Sequence, residues 1–97
     1  MIDESESIVN FELKERFYYL KLLDEADSYC WKDRNENFHL MEEMDIKYLR
    51  NCIATVKKDL IALIKARGES DVVKILKPIA EGKLKELEEI YQNKTRF

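Results

Sequence analysis

The sequence predicts a mostly α protein: an antiparallel bundle of three helices, the last kinked at Pro78, with a small hairpin or loop insertion between helices 1 and 2. Three observations lead there. Two glycines and one proline in 97 residues are too few for a turn-rich β sandwich or barrel. Apolar residues recur three and four apart along the chain, the helical period. Helix start and stop residues stand between the periodic stretches, at Asp45, Gly68 and Ser70. The length suits a single helical domain over residues 1–97.

Helix 1 follows from Val9, Leu13, Phe17, Leu20 and Leu23, with Phe11, Tyr18 and Leu22 as a second apolar stripe. Ser5 and Ser7 are its candidate N-caps, and it is expected to fade near Asp27 and Ser28. Residues 29–40 change character: two short segments, the first aromatic-rich, flank the polar stretch from Asp33 to Asn37. They suit a hairpin or an ordered loop in which Trp31 and Phe38 plug the core.

Asp45 is a strong N-cap for helix 2, with Met44 placed to contact the turn that follows. From there Ile46, Leu49, Ile53, Val56, Leu60 and Leu63 form a regular seam, all expected to be buried. Ile61 and Ile64 widen the apolar face sideways. Gly68 is the natural stop, with Lys65 and Arg67 in the last turn, where the helix dipole favours cations. Ser70 is the candidate cap of helix 3, whose buried side is marked by Val72, Val73, Leu76, Ile79, Leu84, Leu87, Ile90 and Tyr91. Pro78 lacks an amide hydrogen, so the stretch reads as helices over 71–77 and 79–92, or as one helix kinked between them. The tail is expected to fray unless Phe97 docks.

Charged residues make up 38% of the chain, above the usual quarter or so. Residues 1–50 hold 13 acids and 7 bases, and residues 51–97 hold 7 acids and 10 bases. The excess of +3 in the second half is too small to announce duplex binding, so nucleic acid is a disfavoured partner. No apolar run reaches the length of a membrane span, and the acidic start lacks the layout of a secretory signal. A cytoplasmic protein with no membrane partner is expected. Cys30 and Cys52 are far apart and read as free thiols.

No phosphate-cradling glycine loop, zinc-protease motif or nucleophile elbow is present. One histidine, His39, is too few for a four-ligand zinc site of cysteines and histidines. Glu42, Glu43 and Asp45 sit where they would complement a helix N-terminus. The chain is therefore read as non-enzymatic, with no catalytic residue, metal or cofactor. Two surfaces stand out. Tyr48, Asn51 and Thr55 share a face of helix 2, with Arg50 at its edge, and Trp31 and Arg34 of the insertion can fold over it. An aromatic ring, a guanidinium fork and an amide suit a flat anionic ligand such as a nucleotide, so Trp31, Arg34, Tyr48, Arg50 and Asn51 form the candidate ligand site. Lys57, Lys58, Lys65 and Arg67, near Lys74 and Lys77, form a candidate patch for an acidic partner. The second apolar stripes predict a homo-oligomer.

The stretch Trp31-Lys32-Asp33-Arg34 followed by Met44-Asp45-Ile46-Lys47-Tyr48-Leu49-Arg50-Asn51-Cys52-Ile53 resembles small phage and prophage proteins of unassigned function. Those carry a Trp-containing hairpin and then a helix opening Met-x-x-x-(His or Tyr)-Leu-x-Asn-x-Ile. The likeness spans about a quarter of the chain, and this sequence lacks the glycine usual in their hairpin turn. It implies a phage-derived protein acting by binding, as an inhibitor of a host or defence protein in the host cytoplasm. The alternative it implies is an oligomeric sponge for a phosphorylated nucleotide signal. A weak nucleic-acid-binding module through the basic patch is a further alternative.

Overall fold

The computed structural model describes residues 4–20 and 29–96. In chain order they form α1 (Glu4–Glu15), β1 (Cys30–Lys32), β2 (Phe38–Leu40), a 3-10 turn (Met41–Glu43), α2 (Ile46–Arg67) and α3 (Asp71–Thr95). Among the described residues this is a three-helix protein with a small two-stranded hairpin between the first two helices.

The long pair α2–α3 is the frame. Asp45 caps α2 as expected, its carboxylate accepting from the Tyr48 amide at 2.7 Å. At the other end Gly68, at φ 58°, donates its amide to the Ile64 carbonyl at 2.8 Å and turns the chain. Three residues later α3 starts and runs back along α2. Leu49, Val56 and Leu63 of α2 and Leu76, Ala80 and Leu87 of α3 are fully buried.

Corrections fall on this frame. Of the seam residues expected to be buried, Ile46, which opens the helix, is 37% exposed and Ile53 is half-buried, whereas Cys52 is buried. Ser70 stands at the cap position of α3, but its hydroxyl makes no capping bond and is buried without a partner. Of the two readings of the Pro78 stretch, the single helix holds: α3 runs unbroken through Pro78. Pro78 lies on the exposed side of α3. There water can take the carbonyl that its missing amide leaves unpaired one turn earlier.

α1 ends at Glu15, well short of Asp27. The Arg16 and Phe17 amides both turn back to the Glu12 carbonyl, and the Leu20 amide to that of Phe17, so the chain leaves the helix as a tight turn. That turn buries Phe17, Tyr19 and Leu20. Ser5 and Ser7 lie inside α1 rather than capping it. Phe11 of the second stripe is 57% exposed, whereas Tyr18 is half-buried. Leu22, Leu23, Asp27, Ser28 and Phe97 lie outside the described residues.

Residues 29–40 include an antiparallel hairpin in the register Cys30–Leu40, Trp31–His39 and Lys32–Phe38. Its turn has no glycine. Glu36 takes the left-handed conformation at φ 65°, and Asp33 ties the loop by accepting from the Asn35 and Asn37 amides at 2.9 and 3.0 Å. Contacts with the turn after α1 and with α3 hold the hairpin in place. Trp31, 3% exposed, stacks on Tyr19 with ring centroids 4.4 Å apart. Lys83 of α3 donates to the Cys30 carbonyl at 2.9 Å. Phe38, expected as a second core plug, is instead half exposed.

Candidate functional site

The hairpin meets α2 along a groove of about 350 Å³, lined by Tyr18, Trp31, Asp33, Arg34, Asn35, Tyr48, Asn51, Cys52 and Thr55. Three elements build it. The turn after α1 brings Tyr18, the hairpin loop brings Asp33 to Asn35, and the outer face of α2 brings Tyr48, Asn51 and Thr55 at helical spacing. Four of the five residues expected at a ligand site from sequence therefore converge: Trp31, Arg34, Tyr48 and Asn51.

Their roles differ from the expected ones. Trp31 plugs the core, as the reading of the insertion expected, so it closes the groove floor instead of offering the stacking face that the ligand-site reading gave it. Arg34 is exposed and lies over the Tyr18 ring, 4.5 Å from its centroid, an arrangement that holds the guanidinium at the mouth. Tyr18 was missed as a site residue because its spacing marks it as apolar helix. Arg50 does not join: it sits on another side of α2, with Nη2 3.5 Å from the Tyr91 hydroxyl of α3.

Burial pushes the Tyr18 phenol above its usual range, with Arg34 opposing, and burial does the same to Tyr48. Both therefore stay protonated near neutral pH. Burial pushes the Cys52 thiol up to about 12, so no thiolate forms there. His39 Nε2 lies 2.8 Å from Asp33 Oδ2, and that bond, with the Asn37 and Asn35 amides, holds the Asp33 carboxyl below its usual range. Asp33 is thus an ionised organiser of the loop. Among the described residues no group of three acidic, histidine or cysteine side chains is placed to hold a metal ion.

The basic patch divides. Lys57, Lys58 and Lys65 are exposed, as are Lys74 and Lys77 of α3. Arg67 is not available to a partner: its Nε is 3.0 Å from Glu12 Oε1, and Glu12 is 1% exposed. Arg16 approaches the same carboxylate at 3.5 Å. Sequence reasoning missed Glu12, since an acid on a helix with two apolar stripes carries no sign of burial.

A further depression of about 600 Å³ lies at the other end of the hairpin, lined by Phe38, His39, Leu40, Glu43, Met44, Asp45 and Tyr48. Leu40 is 54% exposed, and Glu42, Glu43 and Asp45 are exposed beside it. No helix among the described residues is long and apolar enough to cross a membrane. No protein-family model, characterised protein or solved structure matched this chain.

Proposed function

We propose that this chain is a non-enzymatic helical binding protein that acts by occupying a surface of another protein, with the hairpin and the start of α2 as its contact region. The observation that carries the reading is the set of large apolar side chains displayed there. Phe38 and Leu40 are exposed on a hairpin otherwise clamped by Trp31 and Lys83, and Ile46 is exposed at the start of α2. A soluble fold exposes such side chains in a group where they meet a partner. The neighbouring Glu42, Glu43 and Asp45 select a partner that is basic around an apolar patch. The likeness to small phage proteins supports a host or defence protein as the target, blocked by occupancy. Cross-linking in the source cell, with the wild type beside Leu40→Asp and a Glu42→Lys/Glu43→Lys double variant, tests it. One protein captured by the wild type and lost with both variants supports the reading. Capture unaffected by either variant rejects it.

A second reading rests on the groove of Tyr18, Arg34, Tyr48 and Asn51: capture of a small anionic ligand, with Arg34 on phosphate and Asn51 on a ring or sugar edge. Calorimetric titration with linear and cyclic nucleotides tests it. Arg34→Lys keeps the charge but loses the planar fork. It should weaken binding by roughly ten- to a hundredfold, the worth of a charge-assisted bond. Binding indifferent to Arg34 and Asn51, or none at millimolar nucleotide, removes this reading.

A further inference from the structure

The outward face of α3 carries a pattern that neither reading uses. Asp71, Lys74, Pro78, Glu81 and Lys85 are spaced three and four apart and all exposed, so they form one stripe along the helix. In order they are acid, base, proline, acid, base. Turned end over end, the stripe presents the opposite sign at every charged position. Asp71 lies seven residues before Pro78 and Lys85 seven after. Lys74 lies four before and Glu81 three after, an offset of one residue or about 1.5 Å along the axis. Adjacent members could have paired along their own helix, yet among the described residues none of these four charges is in an ion pair.

The ground beside the stripe suits close approach on both flanks. On one, Ile75 is 43% exposed, and a Cβ added at Gly82 would meet nothing within 4 Å. Their offsets from Pro78 place Ile75 over Gly82 of an antiparallel neighbour. On the other, a groove of about 690 Å³ has Ile64, Val73 and Pro78 among its apolar lining and Lys74, Lys77, Glu69 and Glu81 as its charged members. That lining holds two charges of each sign. An acidic partner would want the cations alone, whereas a second copy supplies both signs.

We infer that the α3 stripe is the interface of a two-fold homodimer, in which α3 helices of two copies cross antiparallel at Pro78. Lys74 of each copy meets Glu81 of the other, and Asp71 of each meets Lys85 of the other. Such an isologous contact needs a self-complementary patch, which this stripe is. It lies on helix faces that the proposed contact region and the groove of Arg34 do not use, so it fails or stands apart from both.

Light scattering coupled to size exclusion at high micromolar concentration tests the interface, with circular dichroism confirming that each variant is folded. The wild type should give twice the 11.6 kDa chain mass. Lys74→Glu and Glu81→Lys each place like charges at both symmetry-related contacts and should weaken association roughly a hundredfold. Mixing the two variants should restore a dimer, because each then supplies the sign the other lacks, and the double swap in one chain should restore it too. A monomeric wild type, single variants that still dimerise, or a mixture that stays monomeric overturns the inference.

Discussion

Replacing Arg67 with methionine isolates the contact that ties α1 to the end of α2. Arg67 Nε lies 3.0 Å from Glu12 Oε1, and the Glu12 side chain is 2% exposed against 27% for Arg67. Methionine keeps most of the arginine's apolar stem and removes its charge, leaving a buried carboxylate whose nearest cation is Arg16, 3.5 Å away. Removing one partner of a fully buried pair costs about 3–5 kcal/mol. Arg67 is more than a quarter exposed, so water already screens part of the attraction. Arg16 stays in place. Both reduce the figure, to about 2 kcal/mol by these magnitudes, in line with a hydrogen bond to a charged group. For a domain of this size that is a fall in melting temperature of roughly 8–16 °C. Urea unfolding followed by circular dichroism measures it. Adding Glu12→Met should recover part of the loss, because two apolar side chains can replace a buried pair with little penalty. A loss under about 0.5 kcal/mol for Arg67→Met, or losses that simply add in the double variant, would show that Glu12 does not depend on Arg67.

Three further outcomes are expected. Leu63→Ala, at a site with no exposure, should cost about 2–5 kcal/mol in the same unfolding assay; a change within experimental error would place the α2 seam outside the core. Glu36→Gly should stabilise the hairpin, since Glu36 sits at φ 65°, where a non-glycine residue is disfavoured by about 1–2 kcal/mol and glycine's entropic cost offsets about half; a lower urea midpoint would contradict this. Burial raises the Asp59 carboxyl above its ordinary 3.8, against the opposing bond from the Tyr19 hydroxyl at 2.8 Å. The folded state then binds a proton more readily than the unfolded one. The contribution of Asp59 to stability is therefore greatest below pH 3.8 and declines as pH rises through the raised value. Asp59→Asn should gain on the wild type from acid toward neutral pH in parallel urea titrations, and a gap that narrows in that direction would reverse the sign.

Sequence by itself determined the helical frame. The spacing of Leu49, Val56, Leu60 and Leu63, the carboxylate of Asp45 one turn ahead of the Tyr48 amide, and the freedom of Gly68 to take φ 58° act over a few residues, so they are legible in order along the chain. The convergence of Arg34, Tyr48 and Asn51 was legible for the same reason: a short insertion directly before a helix can fold only a little way along it. Tertiary structure decided what distant surfaces do to one another. It set Tyr19 under Trp31, deciding between the two sequence readings of Trp31, core plug and stacking platform, in favour of the core. It carried Arg50 round to Tyr91 and Arg67 onto Glu12, 55 residues away in sequence. It ended α1 at Glu15, where the turn that buries Phe17, Tyr19 and Leu20 outweighs the helical spacing that would have continued it. Periodicity reports which residues share a face; whether that face meets a neighbour, and whether a charge on it finds a partner, depends on contacts between elements that no local spacing encodes.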